Sequence, residues 1–209
     1  RLKNGELFPI PIVLDVNKEF SEKIELGEEI LLRDKEGFVV SKMIVESRWK
    51  PDFKKEAEFV YSTKDSSHPT INYLYNSSGQ VYLGGKIEEV RKPIHYDYKR
   101  YRMTPQDVKN KFKKMGWSKI IAFQTRNPLH RAHVEMTLES MKNFSAKLLI
   151  HPVVGLTKVG DIDHYTRIRC YEHIIKKYTK DDAFLAILPL AMRMGGPREA
   201  LLHSIIRKN

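Results

Sequence analysis

From residue 104 onward short apolar runs alternate with longer amphipathic ones, and that rhythm restricts the fold more than any single residue does. KIIAFQT, KLLIHPVV and AFLAILPL read as strands, while PLHRAHVEMTLESMK, HYTRIRCYEHIIKKY and PREALLHSIIRK read as helices between and after them. Thr104 and Pro105 offer an N-cap and a first-turn proline for one more helix, running to about Met115. Helices that separate apolar strands predict an α/β fold with a parallel sheet and right-handed crossovers. Ligands of such sheets bind outside the carboxyl ends of the strands.

Residues 7 to about 91 have a different texture. LFPIPIVLDV, EILLRD, GFVVSKMIVESRW and VYLGGKIEEV are short β-type runs, with DKEG at 34–37 as a hairpin turn. They predict a small barrel or rolled sheet, interrupted by PDFKKEAEFVYSTKDSSHPTINYLYNSSG, which mixes a short helix with loop. The change of rhythm at RKPIHYDYKRYR divides the chain into a β-rich domain over 1–96 and an α/β domain over 97–209, and 209 residues suffice for both. The chain opens on Arg1 and its last residues, IIRKN, still read as helix. A fragment is therefore expected, with the start of the first domain and the C-terminal part of the second lying outside it.

Thirty-seven Lys and Arg against 26 Asp and Glu leave a net charge of +11, which favours anionic partners without choosing among nucleotides, inorganic anions, nucleic acid or acidic lipid. The lone Cys170 excludes an intrachain disulfide. No apolar run reaches the roughly 18 residues of a membrane span. A cytoplasmic, reducing environment is the expectation. NSS at Asn76 and NFS at Asn143 match the glycosylation pattern, but no signal segment accompanies them.

The stretch QTRNPLHRAH falls at a predicted strand end and gathers donors. Asn127 and Pro128 have the chemistry of an N-cap and a first helical residue, so a helix starting there would turn its unpaired amides and positive dipole end toward the strand terminus. His130 and His133, three apart, would share one helical face. Gln124, Thr125 and Arg126 precede them, and the Arg126 guanidinium is a planar fork suited to phosphate or sulfate. Either histidine alone is more often a packed or solvated residue; the pair beside a cap and an arginine points to an anion site. Zinc on His130 and His133, completed by His151 or His164, ranks last, because no zinc spacing accompanies them. GLTKVGD spaces Gly155 and Gly160 as a P-loop would, but Asp161 and Ile162 stand where Lys and Ser or Thr are needed.

QTRNPLHRAH, HPVVGLTKVGDIDHYTR and LAMRMGGPREA with IIRKN closely resemble the catalytic domain of the ATP sulfurylase (sulfate adenylyltransferase) family. GELFPIPIVLDV and PIHYDY resemble that family's N-terminal domain and junction. The resemblance implies a β-rich PUA-like domain over 1–96 and a Rossmann-like nucleotidyltransferase domain over 97–209. It implies conversion of ATP and sulfate to adenylyl sulfate and diphosphate, the first step of sulfate assimilation. Magnesium would be carried with ATP, no organic cofactor would be bound tightly, and identical chains would form a homo-oligomer, with neither nucleic acid nor membrane as partner. Carried over residue by residue, Thr125, Arg126 and Asn127 are catalytic. Gln124, Thr125, Arg126 and Asn127 bind ATP, Gln124 and Arg126 bind sulfate, and His130 and His133 stabilise the transition state.

Leu129 replaces the family's usual methionine, a volume-conserving change, and Val159 stands where proline is common. The family's GRDH loop and a further phosphate motif would follow IIRKN. Lys158, His164 and Arg167 could face the nucleotide, and Arg193 before Gly195 and Gly196 could help close the site; solvated loops and a structural turn explain the same residues. Two rivals are another transferase with the same histidine pair and an organic acceptor, and a basic RNA-binding protein. The basic residues are spread through the chain, which weighs against the second.

Overall fold

The computed structural model describes residues 1–2, 4–155 and 160–209. The chain packs as two compact units, one formed by Arg1–Ile94 with Arg193–Lys208 and the other by His95–Met192.

In the first unit, β1 (Leu14–Val16), α1 (Lys18–Glu22), β2 (Glu29–Arg33) and β3 (Val39–Trp49) are followed by α2 (Phe53–Glu56) and a π-helical turn at Ala57–Tyr61. Then come α3 (Pro69–Asn76) and β4 (Val81–Glu89). Among the described residues the strands form an antiparallel sheet in the order β1-β4-β3-β2. The turn at 34–37 forms as its sequence suggests: Gly37 has φ 89°, and the Phe38 amide donates to Asp34 Oδ1 at 2.8 Å. β1 is shorter than LFPIPIVLDV suggested, because Pro9 and Pro11 have no amide to give a ladder. Ile24, Ile30, Met43, Val45 and Leu83 form the core beneath this sheet, and Ala57, Tyr61, Ile71 and Leu74 form a second cluster among the helices.

The first α-helix of the second unit is α4 (Pro105–Lys114), where Thr104 Oγ1 accepts from the Asp107 amide while the Asp107 carboxylate accepts from the Thr104 amide. β5 (Ile120–Phe123), α5 (Arg131–Phe144), β6 (Lys147–Ile150), α6 (His164–Ile174) and β7 (Ala183–Leu185) follow. Among the described residues the strands form a parallel sheet in the order β5-β6-β7. Phe123 pairs with Ile150 and Ile150 with Leu185, so the three carboxyl ends lie in register. Leu148, Ile150, Ile168, Tyr171 and Leu185 are buried together. Each such aliphatic side chain contributes roughly 1.5–3 kcal/mol by leaving water. β7 stops at Leu185, short of the expected AFLAILPL run, and beyond it the two segments stay paired through a bridge between Val153 and Leu188.

α7 (Gly196–Lys208) packs with the first unit, although it continues the strand-and-helix rhythm of the second. The packing units thus differ from the 1–96 and 97–209 division. The reason lies in the turn before the helix. Thr70 Oγ1 donates to the Arg193 carbonyl at 2.5 Å, and His68 Nε2, whose partner nitrogen accepts from the Thr70 amide, bonds the Met194 carbonyl at 3.0 Å. The Glu199 carboxylate accepts from the amides of Arg193 and Gly195.

Candidate active site

Residues 124–130 leave β5 at its carboxyl end. The neighbouring segment pairs with them past the strand proper: the His151 amide donates to the Phe123 carbonyl at 2.9 Å and the Val153 amide to the Thr125 carbonyl at 3.0 Å. Farther on, a Cβ on Gly155 would lie 2.2 Å from the Leu190 carbonyl oxygen, so only glycine permits this close backbone approach.

The helix after β5 does not start at Pro128. Its N-cap is His130 and its first residue Arg131. Thr125 Oγ1 accepts from the Asn127 amide at 3.0 Å and donates to the Asn127 carbonyl at 2.7 Å, closing a tight turn. The same carbonyl accepts from Tyr171 Oη at 2.8 Å. With two hydroxyls on it, the Asn127 carbonyl is not available to accept from the Arg131 amide, which a helix beginning at Pro128 would require. The unpaired amides of a helix start are therefore those of the turn opening at Arg131.

His130 and His133 stand at the N-cap and third helical position. Their rings lie 3.8 Å apart between centroids, inclined by 32°. His133 Nδ1 accepts from the His130 amide at 3.3 Å, so the neutral His133 ring carries its proton on Nε2 and can donate there. Burial, and secondarily the neighbouring His130, hold the His133 pKa below the usual histidine value. Leu129, buried beside Val134 and Leu148, fills an apolar site that methionine would fill as well.

Arg126 is half-buried, and its Nη1 lies 3.3 Å from Asp161 Oδ2. Its backbone is held from below. Arg167 Nη1 donates to the Arg126 carbonyl at 2.8 Å and to the Val153 carbonyl at 2.9 Å. Arg167 is 2% exposed, so the expectation that it faces a nucleotide is corrected. His164 Nε2 lies 2.9 Å from Asp97 Oδ2, and Arg102 Nη2 binds both oxygens of Asp97 at 2.8 and 3.0 Å. Burial pushes the Asp97 pKa up, but hydrogen bonds from His164 and Arg102 outweigh it and leave the carboxyl below the usual range. Lys158 and Val159 lie outside the described residues. Arg193 belongs to the first packing unit, its main chain held by Thr70 and Glu199. Among the described residues no group of three or more His, Cys, Asp and Glu side chains is placed to hold a metal ion, and no helix is long and apolar enough to cross a membrane.

The structure thus brings Gln124, Thr125, Arg126, Asn127, His130 and His133 onto one segment at a strand's carboxyl end. Sequence reading missed Asp161, Tyr171 and the Asp97 cluster. One signal was available: Arg167 and Tyr171 are four apart and so share one face of α6.

The ATP-sulfurylase family model matches residues 99–209, and a PUA-like domain model matches residues 1–92. The chain belongs to the ATP-sulfurylase family. It is 48% identical over 211 residues to a sulfate adenylyltransferase of Schizosaccharomyces pombe, which aligns with all of this chain and 43% of that protein. It is 48% identical over 209 residues to the Saccharomyces cerevisiae sulfate adenylyltransferase, again with all of this chain and 41% of that protein. A solved structure described as a hexameric APS kinase from Thiobacillus denitrificans superposes with a TM-score of 0.77 at 27% identity, covering 99% of this chain and 36% of that one. The chain spans about two fifths of the length of these curated relatives. In this family context the curled antiparallel sheet is the PUA-like domain, and the parallel sheet with its helices belongs to the ATP-sulfurylase region.

Proposed function

We propose that the protein to which this chain belongs is a sulfate adenylyltransferase, converting ATP and sulfate to adenylyl sulfate and diphosphate. The observation that supports this reading is that Arg126 and the adjacent His130–His133 ring pair are carried by the one segment leaving β5, within the region matched by the ATP-sulfurylase model. Sulfate is a weak nucleophile, and its target phosphorus is already surrounded by negative charge. Catalysis therefore depends on gathering two polyanions, orienting them and stabilising charge on the departing diphosphate. A sulfate oxygen attacks the α-phosphorus as the bond to the bridging oxygen breaks, and the electron pair leaves with diphosphate.

In this reading Gln124 and Arg126 hold sulfate, Arg126 through its fork of donors. Gln124, Thr125, Arg126 and Asn127 line the ATP phosphates, with Thr125, Arg126 and Asn127 acting at the reacting centre. His130 and His133 stabilise the transition state, and a neutral His133 donates its Nε2 proton to a phosphate oxygen. Magnesium arrives on the ATP phosphates and neutralises charge there. Assembly into a homo-oligomer and a cytoplasmic location accompany this reading.

The test measures diphosphate release from MgATP by the full-length protein, with and without sulfate, in wild type and Arg126→Ala. Sulfate-dependent release that is lost in the variant supports the assignment. A folded, ATP-binding wild type that releases no diphosphate with sulfate ends it and brings forward an organic acceptor.

A further inference from the structure

We propose that Arg167 and Tyr171 are positioning residues, which fix the anion-binding segment by gripping its backbone from one face of α6. Tyr171 is fully buried, and its hydroxyl donates to the Asn127 carbonyl at 2.8 Å. Arg167, one helical turn earlier, donates to the Arg126 carbonyl and ties it to the Val153 carbonyl on the neighbouring segment. Two consecutive peptide groups, those following Arg126 and Asn127, are thereby oriented by a helix more than 40 residues away in the chain. The side chains proposed to touch the substrates hang from those same residues.

A packing role alone does not account for these contacts. Core positions are ordinarily filled by apolar side chains, because a buried guanidinium carries a heavy desolvation penalty. Among the described residues Arg167 makes no ion pair; its guanidinium donates to the two carbonyls and its Nε has no hydrogen-bond partner. A cation kept in the interior with no carboxylate beside it, directly under a segment that gathers anion-binding groups, is compensated when an anion occupies that segment. Arg167 thus serves twice, through the direction of its hydrogen bonds and through its charge. Tyr171 serves through its hydrogen bond: burial raises its pKa to about 12, so it remains a protonated donor throughout the working pH range.

This inference rests on the proposed adenylyl transfer, and the experiment separates the two. In the full-length protein, Tyr171→Phe, Arg167→Lys and Arg167→Met are compared with wild type by kcat and KM for MgATP and sulfate, thermal midpoint, and amide hydrogen exchange. Tyr171→Phe removes one oxygen, and its expected result is a kcat lower by on the order of 10-fold, KM values within about threefold, and faster exchange confined to residues 124–130. Arg167→Met should lose more, and Arg167→Lys should recover part of that loss by restoring the charge and one hydrogen bond. Wild-type kcat and wild-type exchange in Tyr171→Phe overturn the proposal. So does a loss of activity that only follows the unfolded fraction, with exchange rising throughout α6 and β6. If wild type itself shows no sulfate-dependent release, the functional reading fails, and the exchange at 124–130 alone decides whether the two residues hold the segment.

Discussion

Arg126 Nη1 and Asp161 Oδ2 lie 3.3 Å apart, with their side chains 27% and 13% exposed. The guanidinium proposed to receive sulfate thus already faces a carboxylate. A sulfate binding there meets both the attraction of Arg126 and the repulsion of Asp161. Asp161→Asn should therefore tighten sulfate binding by roughly two- to fivefold, the scale of a partly exposed ion pair. Titration calorimetry with sulfate on the full-length protein checks this, and weaker binding in the variant would show that Asp161 orients Arg126 instead of competing for it.

His133 should titrate below the ordinary histidine value. Burial lowers its pKa first, His130 adds to the effect, and Nδ1 already accepts the His130 amide, so a proton there would displace that hydrogen bond. The unfolded chain therefore takes up the proton first as pH falls. The contribution to stability is complete above the unfolded value near 6.5 and is lost as pH drops through the folded one. Resolved imidazole resonances read this directly. Adding diphosphate should move the His133 titration upward, since an anion favours the charged ring; an unmoved titration would place the anion elsewhere.

How the chain divides into strands and helices was largely legible, because apolar periodicity and capping residues are local signals. Thr104 with Pro105 and the 34–37 turn behave as their sequences suggest, since each is satisfied by bonds within a few residues. Asn127 and Pro128 carried an equally good local signal, yet the helix starts at Arg131. The deciding partner, Tyr171, is 44 residues away and takes the carbonyl a helix would have used. Arg167 was misread for the same reason: an arginine near a loop suggests solvent or ligand, and only the packing of α6 shows it bonded to backbone carbonyls. The residues proposed to face the ligand lie together in one stretch of sequence, so the proposal could be framed from that stretch alone. Those that hold the segment in place could not.

Asp97→Ala should destabilise the His95–Met192 unit by about 1–3 kcal/mol, because it removes the shared acceptor of His164 and Arg102. Among the described residues the Arg102 guanidinium would keep its bond from Nε to the Asp97 carbonyl at 3.0 Å. The folded carboxyl has a depressed pKa, so the wild-type contribution is present above the unfolded value and is lost as pH falls through the folded one. Thermal melts at pH 7 should separate wild type from variant, and the gap should narrow toward acid. Equal midpoints at pH 7 would mean that the cluster contributes nothing to stability.

His203 sits inside α7's buried face at 2% exposure, and neither ring nitrogen makes a hydrogen bond among the described residues. The Glu199 carboxylate, 3.7 Å away, favours the charged ring, but burial is the larger effect and Arg207 adds to it, so the pKa is lowered. Above the unfolded histidine value the ring is neutral in both states. As pH falls below that value the unfolded state gains the proton first and stability declines. His203→Leu removes both the buried polar ring and this proton uptake. At pH 7.5 its thermal midpoint should lie within about 3 °C of wild type, while at pH 5.5 it should lie above it. A variant that melts lower at both values would show that Glu199 needs the imidazole beside it, and that charge pairing outweighs burial at this position.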